Sequence, residues 1–478
     1  MIDQCFDGLL PFDEIATFRD ALSRPAPRCV RLRPDRMDSV PVSASMDVVP
    51  WFDRGRLFRD SNMRPSQSIR YAAADYYIQD AGSLLALALL DAKPGETICD
   101  LCAAPGGKAS GIGESLGERG FLLANEPIGS RAAILRYALS RTGNLRHAIT
   151  QQDPEQIAER FAGLFDAVLV DAPCSGQSMV GRGKRNVNAF DPKQVDHSAR
   201  RQQRILLAAL RLLKPEGRLI YSTCTFSVEE NESQIQYLRN QFRDALEPIH
   251  APSLEKWASP LESGCYRLWP HRDPTTGAFV AGLKLRDSIA HFDPIRTRKS
   301  ESRSRPQRPC RSANERNRIR VDAIEGLGAF GQLSRIQICG SDRGEAFGLP
   351  DDAPEEIHRG LELREWPKLG VCRSGVWKPE YTLAMLGSDW FEPKLRFEAD
   401  AQQAKKYLLG EAISIDIPTF KNEISDNVRH LESPECPWAV VIWQQRSLGW
   451  AKYAENRVNN HLPALATLPI HNSEEFSP

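Results

Sequence analysis

The chain lacks the long apolar runs and leader signals that would place it in or across a membrane. No stretch approaches the roughly 18 apolar residues that a spanning helix needs. The first residues, MIDQCFDGLLPFDE, are acidic and contain neither a basic segment nor an apolar core, so they do not resemble a secretory signal. We therefore expect a cytoplasmic protein with no membrane partner.

The chain also lacks a cysteine framework and a net charge. Eleven cysteines, an odd number, are scattered over 478 residues, unlike the cysteines of disulfide-rich secreted domains. A reducing compartment leaves such thiols free for chemistry. The 62 Lys and Arg balance the 62 Asp and Glu, so only local patches can indicate a nucleic-acid partner.

Length and patterning divide the chain into several parts. At roughly 150 residues per domain, 478 residues correspond to about three domains. From Gly82 to about Leu285, short apolar runs alternate with helical patterns, which predicts an α/β unit with a mostly parallel sheet. The predicted elements are strands Thr97–Asp100, Phe121–Glu126, Ala148–Thr150, Ala167–Asp171 and Arg218–Ser222, and helices Ile128–Arg141 and Ala199–Leu213.

The sharpest change in composition is Arg296–Arg320, where ten Arg or Lys stand against two Glu, a net charge of +8. Such a segment is typical of a solvated linker and also suits contact with phosphates, and the two interpretations are compatible. Beyond it, turn-punctuated pieces and an apolar run at Val440–Trp443 predict a small β-rich domain. Near the start, Ile15–Leu22 suggests a short helix and Cys29–Pro34 an extended segment. The predicted divisions are 1–70, 71–290, a basic linker over 291–322, and 323–478.

The most informative stretch is Thr97–Gly113, TICDLCAAPGGKASGIG. A short apolar strand ends at Asp100, and a turn of small residues with Gly106 and Gly107 leads into a helix. This order presents backbone N–H groups to a ligand at the carboxyl edge of an open sheet. Neither the GxxxxGK[ST] of a P-loop nor the GxGxxG of a dinucleotide site is present in the stretch.

Acidic residues stand at or just beyond the ends of four successive predicted strands: Asp100, Glu126, Asp153 and Asp171. Glu126 lies about 20 residues after the glycine turn, where a carboxylate can accept both ribose hydroxyls, and Asp153 is placed to meet an adenine edge. Solvated loop charge explains this regularity poorly. The pattern suits a nucleoside-bearing cofactor without phosphates, for which S-adenosylmethionine is the candidate.

Cys99 and Cys102 form a CxxC pair that could suggest a metal or redox site. No second CxxC follows, and Cys99 lies inside a predicted strand. We therefore expect structural cysteines there and no bound metal.

Two further cysteines follow strand ends, Cys174 in DAPCSGQSM and Cys224 in YSTCTFSVEENE. Both strands should end at the edge that carries the glycine turn, so the two thiols can face one pocket. This pairing suggests methylation of cytosine C5, because a thiolate that adds to C6 makes C5 able to accept a methyl group. An acid near N3 assists the addition, and Asp171 is positioned for that role. The second thiol can serve product release; two buried core cysteines are the alternative, and the pattern alone does not rank the thiols.

The stretches DLCAAPGGKAS, ANEPIGSR, DAPCSG and YSTCTFSVEENE resemble, in the same order, the signature motifs of the Sun/NSUN/RsmF family of RNA cytosine-5 methyltransferases. The similarity runs from about Tyr77 to Leu285 and includes PHRDPTTGAFVAGL at Pro270–Leu283. It implies a Rossmann-like, S-adenosylmethionine-dependent methyltransferase domain. It also ranks the thiols, with Cys224 as the nucleophile and Cys174 as the helper in product release.

The resemblance further implies a set of cofactor contacts, and it places Lys108 near the active site as well. This sequence departs from the family at Gln177–Met179, where the DAPCSG loop usually continues differently on the side that should face the target. The residues implied to contact S-adenosylmethionine are Cys102, Ala103, Ala104, Pro105, Gly106, Gly107, Lys108, Glu126, Asp153 and Asp171.

The bacterial RsmF type of this family carries a PUA-like RNA-binding domain at its C-terminus, and SLGWAKYAENRVNNHLPAL and GVWKPEYTLAML resemble parts of it. Arg31 and Arg33 resemble the family's RNA-facing N-terminal element. Tryptophans of the second half can stack on bases, although core packing is their commoner fate. They are Trp366, Trp377, Trp443 and Trp450.

Together these features predict a monomeric enzyme that methylates cytosine C5 in structured RNA, with small-subunit ribosomal RNA favoured. The same reaction on transfer RNA is the alternative within catalysis. A DNA methyltransferase is disfavoured, because such enzymes place the nucleophile in the PC segment and lack the TCT arrangement found here. A silent ribosome-assembly factor is the alternative from another class, but such a protein would be expected to lose a thiol or a cofactor acid, and none is missing.

Overall fold

The computed structural model describes residues 9–37, 46–182, 188–286, 327–328, 330–414, 437–454 and 457–468. The predicted basic linker, 291–322, lies outside the described residues. No helix in the described ranges is long and apolar enough to cross a membrane.

The strands and helices follow one another from the N-terminal sheet through the α/β block to the C-terminal region. The strands are β1 (Cys29–Leu32), β2 (Met46–Val49), β3 (Phe52–Phe58), β4 (Tyr76–Ile78), β5 (Thr97–Asp100), β6 (Phe121–Asn125), β7 (His147–Thr150), β8 (Phe165–Asp171), β9 (Leu213–Thr223), β10 (Leu246–Pro248), β11 (Cys265–Leu268), β12 (Ala278–Leu285), β13 (Gly331–Leu333), β14 (Ile336–Gly340), β15 (Glu345–Pro350), β16 (Lys368–Arg373), β17 (Val376–Pro379), β18 (Phe391–Pro393), β19 (Arg396–Glu398), β20 (Ile413–Ser414), β21 (Trp438–Trp443), β22 (Arg446–Ala454) and β23 (Arg457–Asn460). The α-helices are α1 (Ile15–Ser23), α2 (Ile69–Ala72), α3 (Leu84–Leu90), α4 (Gly107–Ser115), α5 (Gly129–Ser140), α6 (Pro154–Arg160), α7 (Pro192–Leu212), α8 (Glu232–Phe242), α9 (Glu355–Gly360), α10 (Tyr381–Met385) and α11 (Ala401–Leu408).

The central sheet has the order β10-β12-β9-β8-β5-β6-β7, and β11 pairs with another part of β12. Strands β5 to β9 are parallel, and β12 runs antiparallel to β9. Alternate residues of β6 enter two cores: Phe121 packs with α6, α7 and α8, whereas Leu122 packs with α3, α4 and α5. Burial on both faces explains the continuous apolar runs of these strands. The predicted Rossmann-like α/β class is confirmed, together with a β-rich C-terminal region.

Two predicted boundaries differ from the structure for local reasons. Strand β9 begins at Leu213, five residues before the predicted start, because Leu213 already pairs with Phe165 of β8. Regular pairing resumes at Arg218 with Ala167, and the intervening Lys-Pro-Glu-Gly stretch, which reads as a turn, forms a bulge within the strand. Helix α7 begins at Pro192, two turns before the predicted start. The prediction missed these two turns because their residues are mostly polar and show no apolar periodicity. The Asp191 side chain accepts a hydrogen bond from the Lys193 N–H and caps this helix.

The N-terminal residues form α1 and an antiparallel sheet of order β2-β3-β1-β4, as the predicted helix and extended segment suggested. Cys29, Trp51 and Leu57 of this part belong to the same core as α3 and α4. The N-terminal sheet is therefore packed against the helix that follows the glycine turn.

The C-terminal region contains a sheet of order β14-β15-β16-β17 and another of order β19-β21-β22-β23-β20. Trp366, Trp443 and Trp450 are buried in hydrophobic cores, so these tryptophans pack rather than present an open face for bases. Trp377 is half-buried.

Ion pairs connect the C-terminal region to the rest of the molecule. Arg446 Nε lies 2.7 Å from Asp75 Oδ1, and the Asp75 side chain is fully buried. Pairs joining α/β-block arginines to C-terminal carboxylates are Arg146–Asp352 and Arg160–Glu365. The C-terminal region is thus docked on both the N-terminal sheet and the α/β block.

Candidate active site

The turn between β5 and α4 is shaped by a glycine that no other residue could replace without strain. Gly106 has a φ of +112°, and a Cβ atom on it would lie 2.4 Å from the Cβ of Ala138 on α5. Helix α4 begins at the next residue, Gly107. The backbone therefore comes close to α5 and leaves the start of α4 facing the carboxyl edge of the sheet.

A groove of about 530 Å³ runs along this edge, and a smaller hollow of about 130 Å³ continues it past Cys102, Arg131 and Pro173. The predicted cofactor residues lie along the two, with the exception of Gly106, whose role is to shape the turn. The groove carries Cys102, Ala103, Ala104, Pro105, Gly107, Lys108 and Asp171, and the hollow carries Glu126 and Asp153.

Asp100 lies on the groove wall with its side chain fully buried. Its Oδ1 accepts a hydrogen bond from the Cys102 N–H at 3.3 Å, whereas Oδ2 has no partner among the described residues. Burial, and next to it the charge of Asp171, raises the pKa of Asp100 to about 7. A buried carboxylate oxygen without a partner is a ready acceptor for a cationic ligand.

Glu126 lines the hollow and is almost completely buried. Its Oε1 accepts a hydrogen bond from the Ile128 N–H at 2.9 Å, and its Oε2 lies 3.1 Å from Arg131 Nη1. Arg131 also donates to the Ala104 carbonyl, so one side chain links the glycine turn to this acid. The sequence reasoning did not single out Arg131, although it lies within the quoted ANEPIGSR motif.

The far end of the hollow has both a polar and an apolar wall. Asp153 caps α6 through a capping box with Gln156 and is exposed. Ile128 is 50% exposed and lines the same hollow, where its side chain supplies an apolar surface. An apolar wall, an acid for a ribose and an unpaired buried carboxylate suit S-adenosylmethionine, so the residues present fit this cofactor.

The two predicted thiols meet in the groove. The sulfur atoms of Cys174 and Cys224 are 2.9 Å apart, and the Cys224 N–H also donates to Cys174 Sγ at 3.4 Å. The hydrogen bond from Cys174 lowers the pKa of Cys224, whereas the same interaction and burial raise the pKa of Cys174 well above its usual value. The coupling therefore favours Cys224 over Cys174 as the thiol that ionises first.

Lys108 and Asp171 form an ion pair next to the thiols. Lys108 Nζ lies 2.7 Å from Asp171 Oδ2, and the Ser222 hydroxyl donates to Asp171 Oδ1 at 2.7 Å. The positive charge of Lys108 also acts to lower the pKa of Cys224, and the negative charge of Asp171 acts to raise it. The structure brings together all four residues predicted to be catalytic.

A buried acid that the sequence reasoning missed lies beneath the Cys174 loop. Glu230 is fully buried, and its Oε2 accepts hydrogen bonds from the Ser175 N–H and from Gln202 Nε2, each at 2.9 Å. Gln202 also donates to the Pro173 carbonyl. These contacts hold the residues on either side of Cys174, which fixes the thiol without touching it.

Arg31 does not face RNA, and that prediction is wrong. The side chain is fully buried, donates to the Gly107 carbonyl and to Ser110 Oγ, and pairs with Glu114 at 2.8 Å. A guanidinium tolerates such burial because these partners satisfy its donors. Arg31 therefore ties β1 to the first turns of α4, directly behind Lys108.

Cys99 is buried inside β5, and Cys102 lines the groove. Burial raises the pKa of the Cys99 thiol well above its ordinary value. Within the described ranges no cluster of three or more His, Cys, Asp or Glu side chains is arranged to hold a metal ion.

Comparison with known proteins adds a family assignment to this geometry. Residues 87–284 match the family described as 16S rRNA methyltransferase RsmB/F, and residues 394–466 match the methyltransferase RsmF PUA domain. A relative from Shewanella piezotolerans, named ribosomal RNA small subunit methyltransferase F, is 27% identical over 87% of this chain and 84% of its own length. The relative of the same name from Salmonella paratyphi B is 26% identical over 96% and 94%.

Solved structures share the fold. A methyltransferase homologue from Pyrococcus horikoshii is 26% identical, with a TM-score of 0.52 over 59% of this chain and 93% of that one. The NSun6 structure from the same organism has a TM-score of 0.51 at 17% identity, over 60% of this chain and 98% of that one. The shared fold thus extends over more than half of the chain.

Proposed function

Because the chain belongs to the RsmB/F family of 16S rRNA methyltransferases, we propose that it methylates carbon 5 of a cytosine in small-subunit ribosomal RNA, with Cys224 as the nucleophile. It is an S-adenosylmethionine-dependent RNA cytosine-5 methyltransferase. The observation that carries the proposal is the 2.9 Å contact between the sulfurs of Cys224 and Cys174 in the groove beside the glycine turn, and the ranking of the two thiols follows the family.

The reaction begins with addition of the Cys224 thiolate to C6 of the cytosine. The new S–C6 bond pushes electron density toward C5 and N3, so C5 becomes nucleophilic. The Lys108–Asp171 ion pair lies beside the thiols, and Lys108 carries a proton that it can donate to N3 of the cytosine. Ser222 holds the Asp171 carboxylate in place for this transfer.

S-adenosylmethionine supplies an electrophilic methyl group when it is bound. Residues that would hold it are the Ala103–Gly107 backbone, Asp100 and Glu126, with Ile128 and Asp153 at the nucleoside end. Because Arg131 contacts both Glu126 and Ala104, the two ends of this site are kept at a fixed separation.

Release requires removal of the C5 proton, re-formation of the C5–C6 double bond and cleavage of the Cys224–C6 bond. Cys174 Sγ lies beside the departing sulfur; it first loses its own proton to solvent and then, as a thiolate, takes the proton from C5. Its S–H then donates to the freed Cys224 thiolate, which restores the resting arrangement. The net proton of the reaction is the one that Cys174 lost before release, and N3 returns its proton to Lys108 as the aromatic ring re-forms.

Labelled methyl transfer tests the proposal. The purified protein would be given labelled S-adenosylmethionine with four separate acceptors: small subunits, large subunits, naked ribosomal RNA and transfer RNA. We expect incorporation into small-subunit RNA at one or more cytosines, which bisulfite sequencing then locates because methylated cytosine resists conversion. Methyl transfer to transfer RNA alone would support the proposed reaction but contradict ribosomal RNA as the substrate. Binding of S-adenosylmethionine without methyl transfer to any acceptor would favour a silent assembly factor.

A further inference from the structure

A second cleft, here called the α1 cleft, opens beside the active-site groove. It has a volume of about 400 Å³, within the range of small-ligand sites, and lies between helix α1 with Pro25–Pro27 and the segment Pro270–Thr276. Ser178 and Thr276 line both the α1 cleft and the groove that holds the thiols. The two cavities are therefore neighbours across a shared wall.

The position of the α1 cleft is fixed relative to the nucleophile. Phe18 of α1 packs edge-on against Phe226, with ring centroids 5.0 Å apart, and against Trp269 at 5.6 Å. Phe226 lies two residues after Cys224, and its N–H donates to Gln177 Oε1 at 2.9 Å. Helix α1 thus rests on the loop that carries Cys224 and on the loop that carries Cys174.

Two residues that line the α1 cleft each have a buried polar atom without a partner within the described residues. The atoms are the Ser178 hydroxyl and Nδ1 of His271. The Ser178 residue is 1% exposed and the His271 side chain 4%. The other ring nitrogen of His271 is bonded to Glu14 at 2.7 Å, which holds the ring in place. Since buried polar groups are nearly always paired, these atoms point to a ligand with hydrogen-bonding edges.

An RNA strand must pass this place if the proposed function holds. A cytosine inside a folded RNA has to be splayed out to reach the thiols, so its neighbours in the strand lie at the mouth of the groove. Nucleobase deaminases, which also act on an extruded base, set their sequence context partly through contacts to the flanking nucleotides. The rim of the cleft carries Arg24, which is exposed and paired only at the surface with Asp20, and so can also approach a phosphate.

We propose that the α1 cleft binds the nucleotide adjoining the target cytosine and reads its base, with Ser178 and His271 as the polar contacts. This inference rests on the proposed function. It also gives a role to Gln177–Met179, where the sequence departs from the family motif, because that turn forms the partition between target and neighbour.

Substitutions on α1 test the proposal by filling the cleft. Thr17 and Ala21 lie four residues apart and line it, whereas Ala16 of the same helix is exposed and does not. We expect Ala21→Phe and Thr17→Phe each to raise the KM for RNA about tenfold, the loss of one base contact, with kcat and the affinity for S-adenosylmethionine unchanged. Ala16→Phe is the matched control and should leave all three values as in the wild type.

A substrate change completes the test. Once bisulfite sequencing has located the methylated cytosine, RNA is made with an abasic site at its 5′ or its 3′ neighbour. One of these should raise the wild-type KM about tenfold and have no further effect on Ala21→Phe, because both changes remove the same contact. Additive losses, or a wild-type KM for both filled variants, would overturn the α1 cleft as a base site. Absence of methyl transfer by the wild type would instead defeat the proposed function itself.

Discussion

Arg31 of the N-terminal sheet and Glu114 of α4 form an ion pair in which Nη2 and Oε1 are 2.8 Å apart and both side chains are almost completely withdrawn from solvent. The same guanidinium donates to the carbonyl of Gly107, the residue before Lys108. The N-terminal sheet therefore holds the turn between β5 and α4 in place. A substitution in β1 should therefore alter the turn that positions Lys108 in the active site.

Replacement of Arg31 by methionine should destabilise the protein and loosen the cofactor turn. Loss of Arg31 leaves the buried Glu114 with only its longer, 3.4 Å contact to Arg54, so the cost in free energy of unfolding should be up to about 3–5 kcal/mol. Chemical denaturation measures that loss, and calorimetry should show weaker binding of S-adenosylmethionine at temperatures where the variant is folded. Arg33→Met, a change of the partly exposed neighbouring arginine, is the control.

The double variant Arg31→Met/Glu114→Gln provides the sharper check. Because the second change removes the stranded charge, the double variant should be less destabilised than the sum of the single variants. Strict additivity would mean that the pair contributes nothing specific.

The two thiols should give opposite phenotypes. We expect Cys224→Ala to abolish methylation, because no atom remains to add to C6. Cys174→Ala should still add to C6 but fail to release, and so accumulate an RNA adduct that survives denaturing gel electrophoresis. Incubation with substrate RNA and S-adenosylmethionine, followed by such a gel, separates the outcomes. An adduct formed by Cys224→Ala would reverse the roles assigned to the sulfurs.

The pH dependence of Cys224 should move when Cys174 is removed. The hydrogen bond from Cys174 lowers the pKa of Cys224, so its loss in Cys174→Ala raises that pKa and reduces the thiolate fraction at neutral pH. Iodoacetamide alkylation, followed at the Cys224 peptide by mass spectrometry, should then be slower at pH 7 and reach its half-maximum at higher pH than in the wild type. An unshifted profile would show that the thiols are not coupled.

The two aspartates of β8 make a matched pair at opposite ends of one strand. Asp171→Asn should lower the methylation rate about 100-fold, since the partner of Lys108 beside the thiols loses its charge. Asp166→Asn alters the other end, where the carboxylate pairs with the partly exposed Lys214, and should cost at most about 1 kcal/mol of stability with activity retained. Single-turnover rates and thermal melts of both variants distinguish the two roles, and equal rates would exclude Asp171 from the chemistry.

The parallel strands were predictable because they bury both faces. Thr97–Asp100 matches β5 residue for residue, since an apolar run bounded by polar residues has one simple explanation. The early start of α7 was not predictable from its apolar pattern, because its first two turns are mostly polar and bury only Val195 and Ser198. The start is indicated only by the capping residue Asp191 and by Pro192 at the first helical position.

The convergence of Lys108, Asp171, Cys174 and Cys224 was also predictable, since parallel strands deliver their carboxyl ends to one edge. Arg31 was not. Its burial depends on Glu114, which lies 83 residues away in the sequence, and the residues around Arg31 do not predict such a distant partner. The same holds for Glu230, whose role depends on how the Cys174 loop folds over it.

The ion pairs of Arg446 with Asp75, Arg146 with Asp352 and Arg160 with Glu365 give the C-terminal region a mechanical meaning. A module on a free tether searches for its ligand at an effective concentration set by the length of the tether. A docked module instead presents its surface at a set distance and angle from the thiols. The protein would then recognise an RNA by the distance between two contact points on its folded surface. An unfolded RNA of the same nucleotide sequence should therefore be a poor substrate.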